Sequence, residues 1–465
     1  MLRLFRQYYP IRNIFFVIGE GLTIFTSVII ASWILLASDA FPFDRQLWIK
    51  ISLVTIICQT CLYYNDLYDL KVTDSFSELG IRLLQALGAA AIVLAAIYLI
   101  FPATIIGKGV FVVSVGFVIL FIVSWRFGYM LILNHRIFDE KIILLGSGAL
   151  AHNIMNEIFD KKDCGYIVSA TVQECPDDTD FTNEQTTAMI CKKDYDGLCE
   201  LAEGMGISKI VVALVERRGT FPTKELLKCR IKGIDVIDGK SFYEMLTGKL
   251  IVQQINPAWL IFSEGFRKSR IRRFLKRFID LVLSLVGLIL LSPAIILIAV
   301  LIKVDSKGPV LFSQERVGQN RKIYMIHKFR SMLADAEKQS GPVWAADDDD
   351  RIARVGRFIR KWRADEIPQL WNVLKGNMSF VGPRPEREFF VKKLEDTIPY
   401  YGKRFSVKPG ITGWAQVSYG YGASVEDAIE KLNYDLFYIK NMSTLMDLMI
   451  VLRTIKIVLF GKGAR

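Results

Sequence analysis

An acidic pair, Asp365 and Glu366, stands among arginines in the C-terminal part of the chain. Arg360 and Arg363 precede the pair, and Arg384 follows between two prolines, in a stiff loop that suits bidentate binding of a phosphate. An ionised aspartate can attack phosphorus, and a neighbouring glutamate can hold Mg²⁺, which spreads the charge of the phosphates as a leaving group departs. These residue types in this order predict phosphate transfer.

A helix is predicted from about Asp365 to Lys375, ending at Gly376, because apolar residues recur there at i, i+3, i+4 and i+7. The structural interpretation of the acids is that Asp365 caps this helix and Glu366 complements its dipole. The catalytic interpretation is that the helix N-terminus stabilises a phosphate and keeps the aspartate ionised. Asp347–Asp350 is a rival metal site, although a solvated acidic loop is the simpler interpretation.

A basic segment and an interrupted apolar run lie before this region. Arg267–Arg277 carries seven cations and no acid, and Leu281–Ile302 follows at once. The run is long enough to span a membrane, but Ser292 and Pro293 interrupt it, and proline removes a helical hydrogen bond. Lysines also follow its far end. The pattern favours a kinked re-entrant helix at about residues 274–303, with anionic lipid headgroups rather than nucleic acid as the partner of the basic segment.

The composition indicates membrane contact. The 465 residues carry a net charge of +12, yet 52% are hydrophobic and the mean hydropathy is +0.31. Charged residues make up 23%, which excludes a disordered chain. Seven cysteines are too few for a disulfide framework, and three histidines exclude a His-rich metal centre.

Four apolar segments lie in the first 135 residues, at about 14–36, 47–64, 81–101 and 110–133. Each can cross a hydrocarbon core of about 30 Å. Arg3, Arg6 and Arg12 place the N-terminus in the cytoplasm, and four crossings return the chain to that side. Glu20 and Arg126 lie inside these segments, either as functional groups or, more simply, as side chains that snorkel near a helix end.

The middle of the chain predicts a small doubly wound α/β domain. A buried strand at residues 141–145 leads into Gly146 and Gly148 of a G-x-G-x-x-A turn, and a helix follows through about Phe159. Further strands are expected at 166–172, 209–214 and 234–237, and helices at 195–205 and 223–232. The glycines allow a nucleotide phosphate to approach the helix N-terminus, or the turn is architecture around an empty or regulatory site. The residues that hydride chemistry needs do not follow.

The motifs of the C-terminal region together resemble the polyprenol-phosphate glycosyl-1-phosphate transferases, the bacterial sugar transferase family of monotopic membrane enzymes. They run in the expected order, from Gly308–Gly318 and Lys328–Met332 through Arg360–Gln369 to Ser379–Pro385 and Lys408–Trp414. The resemblance extends from about Arg273 to Arg465. The four N-terminal helices and the α/β domain are similar to the large subtype of the family, and the C-terminal ending is most like its exopolysaccharide branch.

This resemblance implies a membrane protein with four N-terminal transmembrane helices (1–137), a Rossmann-like α/β domain (138–262) and a C-terminal α/β monotopic transferase domain with a kinked re-entrant helix (263–465). It implies a role for each of the following positions. The catalytic dyad is Asp365 and Glu366, with Glu366 also on Mg²⁺; the phosphate-binding arginines are Arg360 and Arg384; further site-lining residues are Lys328, Arg330 and Glu315; and the helix break is Ser292-Pro293.

The resemblance also implies the reaction and the partners. Sugar-1-phosphate would pass from a UDP-sugar through a phosphosugar-aspartate to undecaprenyl phosphate, with release of UMP, at the start of exopolysaccharide assembly. The implied location is the bacterial inner membrane, with the soluble domains facing the cytoplasm, and a homodimer is the family-level expectation. Two alternatives stay open: a catalytically degenerate membrane scaffold, and a membrane-anchored nucleotide-sugar dehydratase, which needs a second dinucleotide fold that the sequence after residue 263 does not show.

Overall fold

The computed structural model describes residues 2–4, 7–9, 11–36, 45–68, 76–107, 109–134, 139–161, 164–174, 180–182, 188–192, 195–214, 221–255, 265–266, 268–332, 351–420, 422 and 424–459. Two short strands, β1 (Leu2–Leu4) and β2 (Gln7–Tyr9), stand at the start. Beyond them the chain forms two compact units, one up to Gly239 and one from Lys240 onward.

The first unit begins with four long apolar helices. They are α1 (Ile11–Leu36), α2 (Arg45–Tyr64), α3 (Phe76–Ile100) and α4 (Val110–Asn134). Each contains a stretch of 20 to 24 residues that is long and apolar enough to cross a membrane. The four predicted segments are therefore confirmed as helices of transmembrane length.

Glu20 and Arg126 form a buried ion pair between α1 and α4, so the prediction that they snorkel is wrong. Arg126 Nη2 lies 2.6 Å from Glu20 Oε1, and both side chains are less than 5% exposed. Arg126 also donates to the carbonyl of Leu67 at 2.8 Å, and its guanidinium lies over the ring of Phe16. A partner on a neighbouring helix satisfies each charge without the outward reach that snorkelling requires.

The rest of the first unit is one six-stranded sheet with helices in its connections. The strands are β3 (Glu140–Leu145), β4 (Tyr166–Glu174), β5 (Asp180–Thr182), β6 (Ala188–Lys192), β7 (Lys209–Val212) and β8 (Asp235–Asp238). The helices are α5 (Ala149–Asp160), α6 (Leu198–Gly204) and α7 (Thr223–Ile231). The sheet order is β5-β6-β4-β3-β7-β8, and every pair is parallel except β5 with β6. The sequence missed β5 and β6, which are too short to stand out as apolar runs.

The second unit begins directly after this sheet, at Lys240. The observed boundary is therefore earlier than the predicted boundary at residue 262. Helix α8 (Gly239–Thr247) carries Glu244, whose carboxylate accepts hydrogen bonds from Lys440 at 2.5 Å and Asn441 at 3.0 Å. Val252 is buried in the largest apolar core of the second unit. The boundary therefore depends on contacts between residues nearly 200 positions apart in the sequence. A local sequence pattern does not reveal such contacts.

The second unit continues with a bent pair of apolar helices, α9 (Arg270–Leu290) and α10 (Ser292–Asp305). Their axes differ by 61° at a break of one residue. Pro293 occupies the first turn of α10, and Ser292 Oγ donates to the carbonyl of Ile289 at 2.7 Å. The predicted helix break at Ser292-Pro293 is confirmed.

A small α/β body completes the second unit. Its strands are β9 (Leu311–Val317) and β10 (Ile323–Phe329), which are antiparallel, and β11 (Ser379–Val381) and β12 (Gly410–Thr412), which are parallel. Its helices are α11 (Arg354–Lys361), α12 (Gln369–Lys375), α13 (Glu388–Thr397), α14 (Trp414–Ser418), α15 (Val425–Asn441) and α16 (Thr444–Leu459). A smaller apolar cluster centred on Ile302, Phe329 and Ile359 joins α10 to β10 and α11.

Candidate active site

Asp365 and Glu366 lie in a short 3-10 turn, Ala364–Glu366, and not at the N-terminus of the helix predicted from Asp365. Helix α12 begins only at Gln369, and it ends at Gly376 as predicted. The reason is Pro368, which has no N–H to donate to the carbonyl four residues earlier, so the α-helical ladder starts after it. The acid pair is thus held by a tight turn ahead of the helix.

Glu366 is the centre of the charge cluster. Its side chain is 8% exposed, and its Oε1 accepts from Lys328 Nζ at 3.0 Å and from Arg384 Nη2 at 2.9 Å. Burial alone would raise the pKa of Glu366, but Arg384 and Lys328 outweigh it and hold that pKa far below its usual range. Glu366 is therefore a fixed anion in this site.

Asp365 has the opposite shift. Burial raises its pKa above the usual value, and the charge of Glu366 raises it further, although Lys328, Arg360 and Arg384 act in the other direction. The sequence had suggested that a helix N-terminus keeps this aspartate ionised. Because the pair precedes the helix and the neighbouring carboxylate is ionised, the site instead makes Asp365 the more basic of the two acids.

Two hydrogen-bonded contacts bring the flanking cations to the acid pair. Asn372 on α12 donates to the carbonyl of Met325 at 2.7 Å and accepts from the backbone N–H of His327 at 3.0 Å, which fixes the end of β10 and with it Lys328. Arg360 Nε donates to Ser331 Oγ at 2.9 Å.

Helix α11, which carries Arg360, lies unusually close to the chain that follows β10. A Cβ placed on Gly356 would lie 2.0 Å from the carbonyl oxygen of Ser331. Only a glycine therefore permits this approach.

Arg404 and Asp435 position Arg384, and sequence reasoning missed both. Arg404 Nη2 donates to the carbonyl of Arg384 and to Asp435 Oδ2, each at 2.9 Å, and the ion pair is almost fully buried. Burial raises the pKa of Asp435 to about 6, although Arg404 opposes the shift. The only local sign of this role was that Arg404 is a basic residue shortly before the K-P-G motif. Its partner Asp435 lies 31 positions later in the sequence.

A cavity of about 130 Å³ adjoins the charge cluster. Arg363 and Arg384 line the end nearest the acids, and Gln416, Tyr419 and Lys431 line its walls. The Oε1 atom of Gln416 is buried and has no hydrogen-bond partner among the described residues. A cationic mouth followed by aromatic and amide groups suits a phosphorylated polar molecule.

The structure does not bring Arg330 and Glu315 to the acid pair. Arg330 is buried and donates to the carbonyls of Ser306 at 2.7 Å and Lys307 at 2.9 Å, so it holds the chain that leaves α10. Glu315 pairs with Met325 across the ribbon, so these two side chains share one face. Lys328 is three residues after Met325 on β10, and side chains alternate along a strand, so Lys328 lies on the opposite face from Glu315. The predicted lining role of these two residues came from the order of the motifs in the sequence. That order does not show on which face of a strand a side chain lies. Asp347–Asp350 lies outside the described residues.

The glycine-rich turn of the first unit has a packing role of its own. Gly146 has φ +108°, and a Cβ there would lie 2.9 Å from the carbonyl oxygen of Ala213. Gly148 precedes α5 with extended backbone. The first glycine is therefore required by contact with the strand end of β7, whether or not a ligand binds the turn.

The acid pair also fits the needs of Mg²⁺. Within the described part of the chain, no cluster of three or more His, Cys, Asp or Glu side chains could hold a metal by itself. Mg²⁺ in phosphate-transfer sites is held by one or two carboxylates together with waters and substrate phosphates. Asp365 and Glu366 are adjacent carboxylates in one turn, so they are the residues that would hold the ion here.

Comparison with known proteins places this arrangement in a family. The model described as bacterial sugar transferase matches residues 271–461. The undecaprenyl-phosphate galactose phosphotransferase of Salmonella typhimurium is 31% identical over 344 residues, which cover 70% of this chain and 70% of that protein. The UDP-N-acetylgalactosamine-undecaprenyl-phosphate N-acetylgalactosaminephosphotransferase of Aeromonas hydrophila is 44% identical over 240 residues.

A third relative, the undecaprenyl-phosphate glucose phosphotransferase of Komagataeibacter xylinus, is 31% identical over 332 residues, or 70% of this chain. The matches span 56% of the Aeromonas protein and 60% of the Komagataeibacter protein. The resemblance drawn from the motifs is confirmed by the family model and by the Salmonella match, which extends well beyond the catalytic region. This chain belongs to the bacterial sugar transferase family.

Proposed function

We propose that this protein transfers a sugar-1-phosphate from a UDP-sugar to undecaprenyl phosphate and so begins the assembly of an exopolysaccharide. The observation that carries the proposal is the acid pair in the 3-10 turn, in which Glu366 is fixed by Lys328 and Arg384 while the pKa of Asp365 is raised. The names of the relatives share undecaprenyl phosphate and differ in the sugar, which supports a common acceptor and leaves the donor to experiment.

The proposed reaction has two displacements. A carboxylate oxygen of Asp365 bonds to the β-phosphorus of the donor, while the bond from that phosphorus to the oxygen bridging the α-phosphate breaks and UMP leaves with the electron pair. A phosphate oxygen of the lipid then bonds to the same phosphorus, and the bond to Asp365 breaks. Undecaprenyl-diphosphate-sugar forms, and the free carboxylate returns.

The surrounding side chains have separate parts in this scheme. Arg384 and Arg360 neutralise the phosphates, and Arg404 keeps the Arg384 loop in place through its carbonyl. Mg²⁺, held by Glu366 and Asp365, would supply further charge neutralisation when bound. The cavity beyond Arg384 would take the rest of the donor.

We also propose that α9 and α10 enter and leave the membrane on one face. Arg277 of α9 donates to the carbonyl of Val373 at 2.6 Å, and Asp305 at the end of α10 accepts from the N–H of Val355 at 3.2 Å. Both helix ends thus contact the same polar α/β body, while the apolar side chains around the bend, such as Leu290 and Ile296, are exposed. This arrangement supports an active site at headgroup depth, where a lipid phosphate reaches it from the bilayer.

For the first unit we propose a Rossmann-like fold, with the sheet facing the cytoplasm of a bacterial inner membrane. The support is the strand order around β3, β4, β6, β7 and β8, which runs 3-2-1-4-5 in order of appearance, with the Gly146 turn after the first strand. A nucleotide at this turn remains part of the proposal. Protection of α5 from hydrogen exchange by added nucleotides would test it.

The transfer proposal is tested by Mg²⁺-dependent release of UMP from a panel of UDP-sugars. Detergent-purified protein would be assayed with and without undecaprenyl phosphate, beside Asp365→Asn and Glu366→Gln. We expect sustained UMP release from one donor in the presence of the lipid, a loss of roughly a thousandfold or more in Asp365→Asn, and loss of both rate and Mg²⁺ dependence in Glu366→Gln.

Lys322→Gln removes an exposed charge from the same ribbon as Lys328 and serves as the matched control. An Asp365→Asn variant with normal turnover would exclude the nucleophile assignment. Tight binding of a UDP-sugar without any UMP release by the folded wild-type protein would instead support the scaffold interpretation.

A further inference from the structure

A second cationic site lies at the start of α9, in a cavity of about 500 Å³. Arg273, Lys276, Arg277 and Asp280 line one wall, and their spacing of i, i+3, i+4 and i+7 puts them on one face of the helix. Lys408, from the K-P-G motif before β12, also lines the cavity. The proposed transfer reaction uses none of these residues.

The charges of this cavity are only partly balanced. Lys276 is paired with Asp447 at 2.8 Å. Asp280 is buried, and its Oδ1 accepts from Ser379 Oγ at 3.0 Å and from the N–H of Phe380 at 2.9 Å. These two carboxylates face five lining cations, which are Lys268, Arg273, Lys276, Arg277 and Lys408. The cavity therefore keeps an excess of positive charge.

Lys408 is the cation that most needs an anion. It is half-buried, and its side chain makes no hydrogen bond or salt bridge with another described residue. Burial lowers its pKa, and Arg277 and Lys276 lower it further, whereas Asp280 opposes them. A Cβ on Gly376 would lie 3.4 Å from Arg277 Nη2 and 3.6 Å from Lys408 Nζ, so the two cations converge on one point. Convergent, partly desolvated cations are a binding site for an oxyanion.

This cavity is separate from the acid pair. Arg277 donates to the carbonyls of Val373 at 2.6 Å and Leu374 at 2.8 Å, at the carboxyl end of α12. Asp365 and Glu366 precede the amino end of the same helix. Seven helical residues, or roughly 10 Å, lie between the two places, so a phosphate bound here is not the one that Asp365 attacks.

The outer face of the same helical turns is apolar. Ile271, Phe274 and Phe278 are 79%, 74% and 56% exposed, on the side of α9 away from the cavity. A helix with basic residues on one face and exposed apolar residues on the other lies at the boundary between headgroups and acyl chains. Because a helix is about 10 Å across, the basic face of α9 then lies at the level of the headgroups.

We propose that this cavity binds the phosphate of an anionic phospholipid at the membrane surface. The proposal rests on the membrane insertion of α9 and α10 proposed above, and it does not depend on the transfer reaction. Arg273 and Lys408 contact the phosphate, and Arg277 holds this part of α9 against α12. The bound lipid anchors the α/β body to the bilayer next to the active site.

The test is a lipid titration of the full chain in a neutral detergent. Dioleoyl phosphatidylglycerol or dioleoyl phosphatidylcholine is added to the micelles, or inorganic phosphate to the buffer, and the midpoint of thermal unfolding is recorded. A ligand that binds only the folded state raises this midpoint until it saturates. We expect a saturable rise with phosphatidylglycerol alone, and an apparent affinity about tenfold weaker in Lys408→Gln, as expected for the loss of one charge-assisted hydrogen bond.

Two further variants make the result decisive. Arg273→Gln, at an exposed position, should weaken binding in the same way and serves if Lys408→Gln fails to fold. Lys303→Gln removes a cation from the far end of α10, outside the cavity, and should titrate as wild type.

Unchanged titrations of both cavity variants, or an equal response to phosphatidylcholine, would overturn the proposal. A response that inorganic phosphate alone saturates would overturn the assignment to a lipid. No UDP-sugar is present, so an inactive transferase would not alter the outcome.

Discussion

The two acids of the site differ in acidity because each has different neighbours. Glu366 has Lys328 and Arg384 within hydrogen-bonding distance of one oxygen, whereas Asp365 is half-buried beside an anion. A carboxylate with a raised pKa is the more basic and, once ionised, the better nucleophile, while its neighbour stays charged and available to a metal. The chemistry assigned to each acid follows from this division.

Lys328→Met should move the acidic limb of the pH profile of UMP release to higher pH. Asp365 must be ionised to attack, and Lys328 is among the cations that lower its pKa, so removing that cation raises the pKa further. The maximal rate should also fall, by about a hundredfold. The measurement is kcat/KM across pH, and Lys322→Met is the control, because it removes an exposed charge from the same ribbon. A limb at the wild-type pH in Lys328→Met would contradict the assigned coupling.

At this scale the sequence predicted which charged residues lie together better than it predicted the residues that hold them in place. The sequence identified the charged residues Asp365, Glu366, Lys328 and Arg384, because carboxylates and cations are recognised by residue type alone. Arg404 was not found, because its function is a hydrogen bond to a backbone carbonyl 20 positions away. Glu315 and Arg330 were misplaced because strand register and a helix end determine where their side chains point.

Among the elements, the long helices were easier to predict from the sequence than the short strands. The four transmembrane-length helices follow from apolar runs, since length and composition define such a helix almost alone. Strands β5 and β6 have three and five residues and depend on neighbours for their pairing. The break at Ser292-Pro293 was predictable because proline acts through its own backbone, without partners.

The ion pair between α1 and α4 should be important for the stability of the membrane helices. Glu20→Leu leaves Arg126 buried without its counter-ion, and we expect the free energy of unfolding to fall by about 3–5 kcal/mol. Glu20→Leu combined with Arg126→Leu should recover most of this loss, because no charge then stays buried. Glu78→Leu is the matched control, since its pairing with Arg82 is exposed and should contribute less than about 1 kcal/mol. Thermal unfolding in detergent measures all three, and equal losses in the single and double variants would contradict the pairing.

For the whole molecule, the decisive feature is that the bent helix pair returns to the body from which it leaves. A single polar body cannot contact both ends of a spanning helix, because those ends lie on opposite sides of the bilayer. Arg277 and Asp305 make such contacts at the two ends. In the proposed re-entrant arrangement, a bend of 61° with both ends at one surface would put the vertex roughly 10 Å deep, since each apolar arm is about 20 Å long.

Cysteines placed at the two ends of this pair should therefore be labelled from the same side of the membrane. Arg270→Cys and Lys307→Cys are exposed positions, and a membrane-impermeant maleimide applied to inside-out vesicles should label both, whereas right-side-out vesicles should label neither. Ile105→Cys, in the connection between α3 and α4, should show the reverse pattern if four helices cross the bilayer. The unmodified chain, with its seven cysteines, supplies the background. Labelling of Arg270→Cys and Lys307→Cys from opposite sides would mean that the pair spans the membrane, and the acid pair would then have to receive its lipid by another route.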